Sequence, residues 1–244
     1  MDVLKIGDKV FSLEQFVKQV RLNGKDAVLK PLIRNQAIIK CAGDRGLSAS
    51  DEALQKRFDD MRIGLGLYSS ADMQRWMQRT KRTLDELEED AEIAELTELL
   101  INSFERPVVE KCFAENKRMM DAVEISIITV DDKEAANELT ELLREGTEDF
   151  RPLALEYSTD KYAKAGGYMG VIRRTELSEA VAGTVFGAKP DDILGPIETD
   201  EGFVIVKLHS LISAKLDAER EKEIRQILLD DLLSRNRKRT EWLI

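Results

Sequence analysis

The chain has one histidine, His209, and two cysteines, Cys41 and Cys112. A serine or cysteine triad needs a histidine base, and no nucleophile signature surrounds this one. No ligand spacing for zinc or another metal is present, and the two cysteines, each in a helical pattern, read as reduced packing residues. Gly166-Gly167 lacks the context of a dinucleotide loop and there is no P-loop, so no cofactor is expected. No apolar run approaches the ~18 residues of a membrane span. Met1-Asp2-Val3-Leu4-Lys5 lacks the basic start, apolar block and cleavage site of a secretory signal, which gives the expectation of a soluble, cytoplasmic protein. Gly/Ser-rich linkers and internal repeats are missing. The formal charge of −10 leaves no general electrostatic footprint for nucleic acid and favours solubility.

What is present is enough apolar residue, 43% of 244, to bury one large core or two modest ones. Ile6 to Phe11 reads as a short extended lead-in. Ser12 is placed to cap a helix over residues 13–22, with apolar Leu13, Phe16, Val17 and Val20 on one side. A long helix is predicted from about Asp26 to Ala42. Pro31 is best tolerated in a first turn, so its regular part starts near Lys30. Ser50 caps a helix to about Arg62, and Ser69 or Ser70 starts another through Trp76-Met77. Thr83 and Glu86 have the spacing of a capping box. The helix they start has an apolar side and a dense acidic run, Glu86 to Glu98, readable as a docking surface or as a solvated face. Pro107 interrupts, and a short helix follows from Val108 to Asn116.

The centre of the chain lies between Tyr157 and Leu208. Val123 to Val130 is β-rich, and Lys133 to Arg144 is helical. Gly166-Gly167 requires a sharp turn or a close backbone approach. Ile193 to Leu208 reads as strand, turn, strand, with turn chemistry at Thr199 to Gly202. After this, Asp217 to about Asn236 carries Ile224, Ile227, Leu228, Leu232 and Leu233 on one stripe, which must be buried somewhere. A basic cluster follows, Arg235, Arg237, Lys238 and Arg239. It fits either a helix C-terminus complementing its dipole or a site for an acidic partner.

Several pieces occur in one order: Tyr157-Ser158, Gly166-Gly167-Tyr168-Met169-Gly170, Phe186, Gly195-Pro196-Ile197-Glu198-Thr199, and Gly202-Phe203-Val204-Ile205-Val206-Lys207. This ordered set resembles the parvulin-type peptidyl-prolyl isomerases. The surrounding helices resemble the layout of SurA-type and PrsA-type chaperone isomerases. The resemblance implies an α+β fold in three parts. Residues 1–116 would form a helical module, and residues 121–212 a parvulin-like domain with a four-stranded antiparallel sheet. Residues 213–244 would form a C-terminal helix packing on the N-terminal module. It implies a proline pocket at Met169, Leu177, Val181 and Phe186, each of which is equally readable as core. The family's two histidines would fall at Ser126 and Val204, side by side on adjacent strands, and neither is histidine here. The usual acidic residue after Gly-Gly is Tyr168. Asp160 stands where relatives face the reacting amide, and it also fits a simple turn. His209 lies on the opposite strand face from Val204 and reads as an ordinary strand-end residue.

These residues leave three expectations of function. The chain is a folding factor holding unfolded or proline-containing peptide clients, with weak or lost isomerase activity. Alternatively it is a working isomerase using Asp160, or an adaptor for one peptide, linked to secretion or peptide-maturation machinery.

Overall fold

The computed structural model describes residues 2–6, 9–22 and 30–237, which divide into two compact units, residues 1–109 with 221–244, and residues 110–220. No helix among the described residues is long and apolar enough to cross a membrane.

The first unit opens with a hairpin, β1 (Asp2–Ile6) and β2 (Lys9–Ser12), where a single extended segment was expected. Ser12 then caps α1 (Leu13–Leu22). Its hydroxyl accepts the Gln15 N–H at 3.3 Å, and the Gln15 side chain accepts the Ser12 N–H at 2.9 Å. Leu13 and Phe16 remain exposed. Helix α2 is described over Lys30–Asp44, and residues 26–29 of the expected helix lie outside the described residues. Helices α3 (Asp51–Gly64), α4 (Ser70–Thr80) and α5 (Leu84–Asn102) follow. Both Ser69 and Thr83 form full capping boxes, with Asp72 and Glu86 returning to the cap N–H groups. Leu67, Trp76 and Leu87 form the buried centre between these helices, ringed by Phe58, Met61, Met73 and Met77.

Helix α6 (Arg106–Met120) is longer than its expected 108–116. Pro107 opens this helix instead of interrupting one, because a first turn has no use for its missing N–H. At the other end of the chain lies α10 (Ala218–Arg237). Its buried residues are Ile224, Leu229 and Leu233, while Ile227 is exposed, so the stripe is rotated from the expected one. Arg225 donates to the carbonyls of Ile101 (3.0 Å) and Phe104 (2.8 Å), where α5 ends with unpaired acceptors. Asn236 donates to Cys41 Sγ on α2 at 3.0 Å. Cys41 and Cys112 are both buried and neither is in a disulfide. Arg235 pairs with Asp231, Arg237 is the last described residue of α10, and Lys238 and Arg239 lie outside the described residues.

The second unit is a four-stranded antiparallel sheet with helices on it. Its elements are β3 (Ala122–Val130), α7 (Lys133–Glu145), α8 (Phe150–Tyr157), β4 (Tyr168–Arg173), α9 (Glu179–Val185), β5 (Ile193–Thr199) and β6 (Gly202–Ile212). The strand order is β4-β3-β6-β5, with the first and last strands adjacent at the centre. Strand alternation divides the core in two. Val123, Ile125 and Ile127 face one cluster with Val204, Val206 and Leu208. Ile128, Val130 and Ile205 face the other, covered by Leu139 and Leu143 of α7 and by Phe150 and Leu153 of α8.

Candidate functional site

The site is built on the first of these two faces. Val181 and Val185 of α9 are buried against it, and Ser178 caps that helix by accepting the Val181 N–H. Phe186 ends the helix, and Leu177 ends the short 3₁₀ turn Arg174–Glu176. Phe186, Leu177, Met169 and Tyr162 are half-buried and pack on the Val204 cluster from its rim. The structure therefore brings together five of the expected site residues, Met169, Leu177, Val181, Phe186 and Val204. Of these, Val181 and Val204 are floor, and Met169, Leu177 and Phe186 present apolar surface.

Gly166 and Gly167 set the position of Met169. Gly167 has φ +82°, and a Cβ there would lie 2.3 Å from the Ile127 carbonyl oxygen. The Gly167 carbonyl accepts the Ile127 N–H at 2.9 Å. Only glycine lets the chain come this close to β3 before β4 begins.

Ser126 is not part of this surface. It pairs with Lys207, while Val204 pairs with Thr129, so the expected juxtaposition of Ser126 and Val204 does not occur. Strand side chains alternate, and an alignment slip of one residue moves a side chain to the other face of the sheet. The neighbour on the Val204 face is Ile127, in the same buried cluster. The run Val-Glu-Ile-Ser-Ile-Ile-Thr-Val has no internal marker to fix that register from sequence. With Ile127 in place of Ser126, the two strand positions on this face are both β-branched and apolar.

Asp160 is half-buried after α8. Its carboxylate accepts the Tyr162 N–H at 2.6 Å, and its own N–H donates to Ser158 Oγ at 3.4 Å. The side chain thus makes an Asx-type turn that presents the Tyr162 ring to the apolar cluster. Two cations stand over the rim. The Arg174 guanidinium lies 4.4 Å from the Phe186 ring centroid, and Lys161 Nζ lies 4.9 Å from that of Tyr162. Sequence reasoning missed Tyr162, Ile127 and Arg174. The only available signal was alternation, which places Ile127 and Val204 on one face once the register is known.

The polar groups gather on the opposite face. His209 is the extra residue of a bulge between the Ile125–Leu208 and Glu124–Ser210 pairs. Its Nε2 is 2.8 Å from Ser126 Oγ, and its ring meets Tyr168 edge-on at 5.9 Å. Tyr168 donates to Glu124 at 2.6 Å, and Ser210 donates to the same carboxylate at 3.1 Å. These two bonds, the Tyr168 one foremost, hold the Glu124 carboxyl below the ordinary glutamate range, with His209 adding to the effect. His209 is therefore a network member and not the bare strand-end residue expected.

Residues 128–210 match the family model described as Rotamase, the PPIC-type PPIASE domain. This segment is a PPIC-type rotamase domain. The chain is 25% identical to the foldase protein PrsA of Halalkalibacterium halodurans, across 98% of this chain and 72% of that one. It is 41% identical to the chaperone SurA of Salmonella choleraesuis over 81 residues, which is 33% of this chain but only 19% of SurA. Among solved structures, it superposes on the peptidylprolyl isomerase PrsA of Bacillus cereus with a TM-score of 0.51 and 19% identity, covering 96% of this chain and 86% of that one. That last likeness is one of fold: a helical N-terminal part, the PPIC-type domain and a C-terminal helix.

Proposed function

We propose that this chain is a folding factor that binds unfolded or proline-containing segments on the apolar surface of its PPIC-type domain, with weak or lost isomerase activity. The observation that carries the reading is the pairing of an intact apolar grip with an apolar floor. Met169, Leu177 and Phe186 line the rim, while Ile127 and Val204 hold the strand positions beneath.

Isomerisation of an X-Pro bond has a barrier of ~18–20 kcal/mol and needs no covalent step. A catalyst gains rate only from contacts that are stronger at the twisted amide than in the ground state. Met169, Leu177 and Phe186 grip a proline ring equally in both states. Asp160 is the residue that the family resemblance sets facing the reacting amide, and its carboxylate already accepts the Tyr162 N–H. Replacing a hydrogen-bonded pair by two apolar residues leaves no orphaned partner, so the domain keeps its fold while losing polar discrimination. Similarity to proteins named foldase and chaperone supports the client-binding half of the reading.

The same proposal includes the domain plan, in which residues 213–244 complete the helical module of residues 1–116. It also includes a cytoplasmic site of action, which is supported by two buried cysteines outside any disulfide and checked by cell fractionation. The binding claim is tested by titrating a fluorescent proline-containing peptide into the whole chain and into Phe186→Ala. Binding that weakens about tenfold or more on loss of the buried ring surface is the expected result. Equal binding by both proteins would move the client site elsewhere.

A further inference from the structure

The acidic run on α5 is divided by its surroundings. Arg57 of α3 pairs with Glu95 (3.0 Å) and Glu98, and Arg82 pairs with Glu86 and with Asp90 (2.7 Å). Asp85, Glu88, Glu89 and Glu92 are exposed and carry no ion pair among the described residues. All four border one open cleft of about 1100 Å³ between α3, α4 and α5. Its floor is apolar and half-buried: Leu54 and Phe58 from α3, Met73 and Met77 from α4. The cation on its wall, Arg62, is already held by Asp59 and the Leu67 carbonyl.

A solvated helix face has no reason to concentrate its unpaired carboxylates along one apolar groove. The volume exceeds the roughly 300–1,000 Å³ of small-molecule sites. The α3 wall, from Asp51 to Arg62, runs ~17 Å, the length of three turns of helix. Methionine floors adapt to varied side chains. Charge and shape together describe an elongated, apolar, cationic occupant.

The geometry points to a second client site in the helical unit, selective for cationic amphipathic segments of non-native polypeptides. The apolar side chains of the segment lie on Leu54, Phe58, Met73 and Met77, and its lysines or arginines meet Asp85, Glu88, Glu89 and Glu92. The inference rests on the reading of the chain as a client-binding protein, and it places this selectivity outside the PPIC-type domain.

The test uses the full chain and a fluorescent, proline-free peptide of leucine and lysine at helical spacing, about a dozen residues long to match the groove. A second peptide has every lysine replaced by glutamate. The lysine peptide should bind at least about tenfold more tightly, with an affinity that falls as salt rises. The double variant Glu88→Gln/Glu92→Gln, which removes charge from exposed positions, should weaken it about tenfold while leaving the circular dichroism spectrum unchanged. Equal affinity for the two peptides, or no effect of the double variant, overturns the inference. So does a self-associated form in sedimentation that the double variant dissolves, since the cleft would then hold a second copy. A saturating X-Pro peptide should leave the lysine peptide bound. If it displaces it, both share one site: this inference fails, and the proposed proline-segment binding stands.

Discussion

Glu124 shows how one residue ties sequence, packing and pH together. Tyr168 and Ser210 donate to its carboxylate and hold it charged below the ordinary glutamate range. A depressed folded-state pKa contributes stability at any pH above the unfolded value. That contribution is lost as pH falls from about 4.3 through the lower folded value. Glu124→Gln should therefore be less stable than the natural chain in urea at neutral pH, and the difference should shrink below about pH 4. A difference independent of pH would show that the charge is not what the network holds. This cluster was poorly legible in the sequence. His209 reaches Ser126 from a bulge that no local pattern announces. Ser126 lies on the face opposite to the expected one, because a uniform apolar run does not reveal its register. By contrast, the close approach of Gly167 was legible, since paired glycines have few other uses.

At the scale of elements, helix starts were readable because capping chemistry is local. Thr83 with Glu86, and Ser12 ahead of α1, lie within four residues of the groups they satisfy. Helix ends satisfied from a distance were not readable. The C-terminus of α5 is completed by Arg225, more than a hundred residues away, which also pairs with Glu221 at 2.8 Å. Arg225→Ala removes donors from two carbonyls and from a carboxylate. It is expected to cost about 1–3 kcal/mol of stability, measured by urea unfolding. A loss below about 0.5 kcal/mol would class it with ordinary surface substitutions. The rotated stripe of α10 has the same origin: its apolar leucines adjoin one another, and only the packing selects Leu229 over Ile227.

For the whole molecule, the first compact unit joins residues 1–109 to residues 221–244, and the second is continuous over residues 110–220. A chain stopped after Arg220 loses Ile224, Leu229 and Leu233, each buried in the whole protein. Each such side chain is worth roughly 1.5–3 kcal/mol of apolar burial, comparable in sum to the stability of a typical domain. The truncated chain should be less soluble and should lose one cooperative urea transition, while the PPIC-type domain keeps its own. Unchanged solubility and unfolding would refute the discontinuous module.

The account as a whole turns on whether an intact apolar grip without its polar pair still catalyses. Protease-coupled turnover of an X-Pro tetrapeptide by the full chain measures this directly. The prediction is a rate at least roughly a hundredfold below that of a histidine-bearing parvulin under the same conditions, corresponding to ~3 kcal/mol of missing differential stabilisation, with proline-peptide binding retained. A rate comparable to that parvulin, abolished by Asp160→Ala, would contradict the account and make Asp160 the catalytic residue.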